Sequence, residues 1–387
     1  MKKREAELNS SLPAFSARAS QLHRRLDFWL GVPAIAAAGI LRRHRQLPSS
    51  PQRIGFLSPT AIGDLILDTG LLRHVAQRYP GAELHIFHGR NNREAIALLP
   101  VPVVAHLCDF QSFRRTLLEI RHSRLDMLVD LTPWPRLTAL YAALSGTATV
   151  GFNSLGQYRH FAFDIAVPHM RARHEVENLK AMAHVFGECP IYEVRISDAG
   201  TLPELPVDWR RLVLCHAAPG GSRSQWKRWP NPFWVELIRA LVSDGHLVGL
   251  TGTDSDQPVV NAILAQLHLP FDRVLSLCGR LTLLELAAAL RACRLCITVD
   301  TGVMHLASAV DAATIALLGP THSTRWGARS SNSVNLDSPH PKSGFIHLGF
   351  ERSRHGAEIM TFLRPHEVIG AARALLGREN GRGVSRQ

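Results

Sequence analysis

The run Leu295-Cys296-Ile297-Thr298-Val299-Asp300-Thr301-Gly302-Val303-Met304-His305 joins a β-branched stretch to a helical pattern through an Asp-Thr-Gly turn. The stretch predicts a buried strand and the turn predicts a helix start. Backbone N–H groups in a first helical turn lack intrahelical partners and lie at the positive end of the dipole, so the turn suits an anion, a phosphate above all. Asp300 and Thr301 serve equally well as plain helix caps, and other segments are needed to tip the balance toward a ligand.

Two such segments follow. Between a predicted strand at Leu212–His216 and the next helix lies Ala218-Pro219-Gly220-Gly221-Ser222-Arg223-Ser224-Gln225-Trp226-Lys227-Arg228-Trp229-Pro230. Small residues with several donors and cations in one loop suit a diphosphate, with Lys227 as a mobile point charge. Trp229-Pro230 is expected to anchor this loop rather than leave it solvated. Nearer the start of the chain, Ser58-Pro59-Thr60-Ala61-Ile62-Gly63-Asp64 passes from strand to helix. Asp64 there would face a cleft and could take a proton from a hydroxyl, although an Asp in this place is commonly a cap. The G-x-G-x-x-G spacing of a dinucleotide site is missing, which disfavours a nicotinamide-dependent dehydrogenase.

Asp254-Ser255-Asp256 has the D-x-D form that can hold a divalent cation on a diphosphate. Its place between a strand and a helix favours capping, or a hydrogen bond accepted by Asp256 from a ribose hydroxyl, and no other acidic cluster supports a metal. Cys293-x-x-Cys296 has no second pair, so burial at a helix-to-strand junction is favoured over zinc. The six scattered cysteines show no disulfide framework and fit a reducing compartment.

These residues need a scaffold that brings distant turns together. After Pro48-Ser49-Ser50-Pro51, strands are predicted at Arg53–Ser58, Glu83–Gly89, Val103–Leu107 and Met127–Leu131, with helices at Gly63–Arg78, Asn92–Leu99 and Phe113–His122. Thr201–Asp208 reads as a linker. A second series has strands at Leu212–His216, Leu247–Thr251, near Val274–Leu277, at the Leu295 run and at Thr314–Leu318. Its helices fall at Pro232–Ser243, Gln257–Leu267 and Thr282–Ala292. Such alternation indicates an α/β chain of two Rossmann-like, doubly wound domains, whose strand ends face a central cleft. A final helix at Pro365–Leu376 is expected to pack back across the domains, with a frayed tail from Gly377 to Gln387.

The 387 residues exceed the usual size of one core, and the formal charge is +12. Half of that lies in residues 1–50, where nine Lys/Arg stand against Glu5, Glu7 and Asp27. Within this basic extension Leu26–Leu41 is mostly apolar and flanked by Arg24-Arg25 and Arg42-Arg43-His44-Arg45. It is shorter than the ~20 residues of a membrane span and lacks a signal-peptide cleavage pattern. An interfacial helix with Phe28 and Trp29 at headgroup level is favoured, over a helix docked on the protein's own surface.

Gly63-Asp64 after the first strand, Lys227-Arg228-Trp229-Pro230, Asp300-Thr301-Gly302 with His305-Leu306, and Gly319-Pro320-Thr321, in this order, resemble glycosyltransferase family 9, the ADP-heptose:lipopolysaccharide heptosyltransferases. The resemblance covers nearly everything from Arg53 to Leu376. It implies a GT-B fold with an acceptor-side domain over 51–200, a donor domain over 201–364 and a C-terminal helix and basic tail over 365–387. It further implies inverting transfer of a sugar from a nucleotide-diphosphate donor, most simply ADP-heptose, to a lipopolysaccharide-core or related glycan, with no metal or other cofactor in the chemical step. Asp64 matches the family's general base and Lys227 its phosphate-binding lysine. Thr301, Gly302 and His305 fall in the segment that holds the donor diphosphate, Asp300 matches a residue touching the donor sugar, and Asp256 lies near an acidic ribose ligand. The expected partners are the donor, a glycan or lipid-linked acceptor and, through residues 1–50, an anionic membrane surface. That makes a cytoplasmic enzyme peripheral to the inner membrane. The rivals are a sugar-nucleotide epimerase or hydrolase on the same fold and a non-enzymatic anionic-surface binder; nucleic acid is disfavoured because no recognised module is present.

Overall fold

In the computed structural model, residues 25–382 are described apart from 26, 199, 206, 222 and 269–272. Residues 1–24 of the basic extension, Leu26 and residues 383–387 therefore lie outside the described part. Among the described residues the first full helix is α1 (Gly31–Leu41), after which elements alternate: β1 (Arg53–Ser58), α2 (Ile62–Arg78), β2 (Glu83–His88), β3 (Val104–Leu107), α3 (Phe113–His122), β4 (Met127–Asp130), α4 (Arg136–Leu144), β5 (Ala148–Ser154), β6 (Ile165–His169) and α5 (Glu175–Ala183). The second series is β7 (Leu212–His216), α6 (Asn231–Ser243), β8 (Leu247–Leu250), α7 (Gln257–Leu267), β9 (Val274–Ser276), α8 (Leu283–Ala292), β10 (Leu295–Val299), α9 (Gly302–Ala309), β11 (Thr314–Leu318), α10 (Ser323–Trp326), β12 (Ser333–Asp337) and α11 (Pro365–Arg382).

The strands form two all-parallel sheets, ordered β3-β2-β1-β4-β5-β6 and β12-β11-β10-β7-β8-β9. Both are the same doubly wound order, in which the chain reverses direction between its first and fourth strands. That reversal opens a crevice at the carboxyl ends of β1 and β4 in one sheet and of β7 and β10 in the other. Central strands such as β7 and β10 are buried at every residue, as parallel strands covered on both faces must be. The apolar core runs from one sheet to the other: Leu65, Leu72 and Met182 share a buried cluster with Leu290, Leu306 and Ala307.

Three expectations need correction. The segment predicted as a helix at Asn92–Leu99 is a 3₁₀ run, Arg90–Leu98, broken at Asn92 (φ −119°, ψ 15°). The buried Asn92 amide is bonded instead to the backbone, donating to Ser58 O (2.7 Å) and accepting from Gly89 N (2.8 Å). The last helix continues through Gly377 to Arg382 instead of fraying there. It also packs within the second domain, where Val368, Ala372 and Leu376 join Trp229, Trp234 and Leu237 in one core, rather than spanning both.

Candidate active site

The two crevices face each other and enclose a cavity of about 520 Å³. On the second-sheet side, β10 ends at Asp300, and Thr301 caps α9 with its Oγ1 accepting from Val303 N (2.9 Å). Asp300 is nearly buried; its Oδ2 pairs with Lys227 Nζ at 2.6 Å and accepts from Thr321 Oγ1 at 2.7 Å. Burial pushes this carboxyl up, but the ammonium and the hydroxyl more than offset it and hold Asp300 below the usual carboxylate range. Lys227 sits at the end of the Gly-rich loop, which is fixed as expected: Trp229 is buried and its Nε1–H donates to Leu363 O (2.8 Å). Ala218, Gly220, Gly221 and Lys227 of that loop line the cavity.

The first-sheet side is built on α2. Its N-terminus meets that of α9: a Cβ on Gly63 would stand 2.8 Å from His305 Cδ2 and 3.3 Å from Gly302 Cα, so only glycine permits this approach. Two positive helix ends therefore converge on one spot, a setting for a doubly charged anion. Asp64, half-buried, lines the cavity, and its Oδ2 also accepts from Ala61 N at 3.2 Å, so capping and exposure to the cavity coexist. His305 lies buried between the two ends; desolvation lowers its pKa against the pull of Asp300 and Asp64, leaving a neutral ring.

Asp256 also borders the cavity, with Oδ2 accepting from Thr253 N (2.8 Å) and Thr253 Oγ1 (2.7 Å). The structure thus brings Asp64, Lys227, Asp300, Thr301, Gly302, His305 and Asp256 to one cavity. It can accept a proton on one wall and stabilise a leaving anion on the other.

Residues 114–344, well over half of the chain, match the sequence profile "Glycosyltransferase family 9 (heptosyltransferase)". The chain belongs to glycosyltransferase family 9. A 104-residue stretch is 35% identical to lipopolysaccharide heptosyltransferase 2 of Salmonella typhimurium, spanning 27% of this chain but only 30% of that relative's length. Lipopolysaccharide heptosyltransferase 3 of Escherichia coli is 25% identical over 307 residues, 71% of this chain and 85% of its own. The structure of E. coli ADP-heptose lipopolysaccharide heptosyltransferase II shares the GT-B fold, with a TM-score of 0.68 over 85% of this chain and 99% of that one at 21% identity.

Several cavity residues of this family 9 chain are not among the site residues expected from the sequence. His216, at the end of β7, is buried against Thr251 (Nδ1 to Oγ1 3.0 Å) and desolvation pushes its pKa down to about 4. Leu277, Leu281, Leu283 and Leu286 give the same cavity an apolar lining. Asp68, one turn beyond Asp64, accepts from Ser58 Oγ (2.7 Å), and burial, with Asp64 and Glu175 nearby, raises its pKa well above the carboxylate range. Glu175 is held by His169 (3.0 Å) and by Arg325 of the other domain (2.7 Å). Burial opposes its ionisation, but the interactions with His169 and the Arg325 guanidinium bring its pKa down to about 2. A strand-end position could have marked His216; Asp68 and Glu175 lie inside helices and are revealed only by packing.

Proposed function

We propose that this chain is an inverting heptosyltransferase, moving heptose from ADP-heptose to a hydroxyl of a lipopolysaccharide-core or related glycan. The observation that carries the reading is the convergence of Asp64 with Lys227, Asp300 and the Thr301-Gly302 turn on one cavity between two helix N-termini. In the reaction the acceptor hydroxyl attacks the anomeric carbon from the face opposite the diphosphate, and Asp64 takes its proton. As the sugar–diphosphate bond breaks, negative charge grows on the leaving group, where Lys227 and the free N–H groups at Thr301-Gly302 stabilise it. Lys227 exchanges Asp300 for the diphosphate, which frees the Asp300 carboxylate to accept a hydroxyl of the donor sugar. Asp256 receives a ribose hydroxyl on its remaining oxygen. Closure of the two domains keeps water from competing as acceptor. The same reading has residues 1–50 at the anionic cytoplasmic face of the inner membrane, where a lipid-linked acceptor is presented.

The test is a panel of nucleotide sugars scored by thermal stabilisation, followed by transfer to a heptose-free core acceptor with the product anomer read by NMR. ADP-heptose is expected to stabilise most and to give the inverted product. Stabilisation by a different nucleotide sugar alone overturns the donor assignment. Turnover of donor at full rate without acceptor identifies an epimerase or hydrolase instead.

A further inference from the structure

Helix α1 is apolar on every side, yet among the described residues only one side is covered. Ile35 and Gly39 are buried, and a Cβ on Gly39 would stand 2.3 Å from Phe161 O, so the inner face is seated directly on the Arg159–Ala162 turn. The exposed positions are Leu30, Pro33, Ala37, Ile40 and Leu41. Their spacing follows the helical repeat and forms one outward strip, preceded by Trp29. Trp29, Leu30, Ile40 and Leu41 are 67–85% exposed. An all-apolar helix normally lies wholly inside a core, so a strip left open in this way calls for a covering phase.

The strip is held rigidly. At one end Asp27 pairs with Arg136 (2.5 Å), and at the other Arg42 pairs with Asp164, which also accepts from Arg45 N (3.0 Å). Side chains distant in sequence extend it: Tyr158 meets the Phe28 ring edge-on at 6.3 Å, and Leu155, Tyr158 and Phe161 are exposed. The strip's exposed flanks are cationic, with Arg25 before it and Arg43 and Arg45 after it. Within residues 25–50 the one acid is Asp27, already paired with Arg136.

We infer that the outer face of α1, with Leu155, Tyr158 and Phe161, is a docking surface for the interface of an anionic lipid bilayer. Eleven residues make a helix of roughly 16 Å, about half of the hydrocarbon thickness, so α1 lies in the membrane plane with its strip below the headgroups and its arginines among them. A second copy of the chain fits less well, because a two-fold contact brings arginines against arginines with no acid to oppose them. The inference rests on the lipid-linked acceptor of the proposed function. Vesicle binding, however, is read without donor or acceptor, so the two fail separately.

The experiment is sedimentation of the full chain with vesicles of phosphatidylcholine alone or mixed with phosphatidylglycerol, at low and high salt. It includes the triple variant Trp29→Ser, Ile40→Ser, Leu41→Ser and the double variant Arg43→Ser, Arg45→Ser. The parent is expected to pellet with anionic vesicles only. Partitioning should fall at least about tenfold in the triple variant and by about fivefold for each arginine removed, with melting temperature and ADP binding unchanged. Equal partitioning of parent and triple variant overturns the proposal. So does a parent dimer that the triple variant converts to a monomer without vesicle binding, or vesicle binding that is lost when residues 1–24 are removed and α1 is kept.

Discussion

The two walls of the cleft share a topology but differ in chemistry. The second-sheet wall carries the cavity's lysine, and its buried acid is engaged: Asp300 by Lys227 and Thr321. The first-sheet wall contributes Asp64, Asp68, Glu94 and Glu175, together with Pro133 and Trp134, and among the described residues no Lys or Arg of that wall lines the cavity. The acidic side chains of the first wall repel a phosphate and the Lys227 ammonium of the second attracts it, while the N-termini of α2 and α9 favour it where the walls meet. Under the proposed function, this difference sets the direction of transfer: hydroxyl from the first wall, leaving group toward the second.

Removing the proton acceptor is the harshest way to break this contrast. Asp64→Asn keeps the shape and the cap to Ala61 N but cannot take a proton. Transfer should fall by about 10²–10⁴-fold while ADP-heptose affinity, measured by calorimetry, stays near that of the parent. Transfer at the parental rate would remove Asp64 from the mechanism and leave it a helix cap.

The contrast also explains what the sequence could reveal. The second wall is written locally: strand, Asp-Thr-Gly turn and helix lie within fifteen residues, and the β7, α7 and β11 boundaries match the sequence expectation. The first wall is assembled at long range. Strands β5 and β6 and helices α4 and α5 are not legible in the sequence, where Pro133-Trp134-Pro135 and a left-handed turn at Tyr158 (φ 56°) interrupt the pattern. Asp68 reads as any helical acid until Ser58 and the core enclose it, and Glu175 acquires its meaning from Arg325, 150 residues away. Short strand-to-helix turns carry their chemistry in the order of residues, whereas burial is a property of the packed chain.

The opposite wall is probed by Lys227→Ala. Loss of a charge-assisted contact should weaken ADP by about 1.5–3 kcal/mol, roughly ten- to a hundredfold and more in Kd, while adenosine is nearly unaffected because it lacks the diphosphate. The comparison sharpens if Asp64→Asn and Lys227→Ala prove separable, one acting on turnover and the other on affinity. Equal losses for ADP and adenosine would mean that the variant has disturbed the whole second domain.

The smallest effect concerns the seam that holds the two walls in register. His174 caps α5, with Nδ1 accepting from Val176 N (3.1 Å), and its Nε2–H donates to Gly327 O (2.9 Å) in the other domain. Both ring nitrogens are used by the neutral tautomer, and burial, aided by Arg329 and His305 and opposed by Glu175, brings its pKa down to about 4. Because the unfolded ring titrates near 6.5, the unfolded chain binds the proton first as pH falls. The stability that His174 contributes is therefore complete above about pH 6.5 and is lost progressively toward pH 4. His216 shares this direction, so the parent declines through both. His174→Asn can still cap the helix but cannot titrate. In urea melts at pH 7 and pH 6 the parent should lose more stability than the variant, by on the order of 1 kcal/mol. Parallel losses in the two proteins would show that the interdomain seam is indifferent to protonation of His174, and would leave the acid sensitivity of the fold to the other desolvated histidines, His216 and His305 among them.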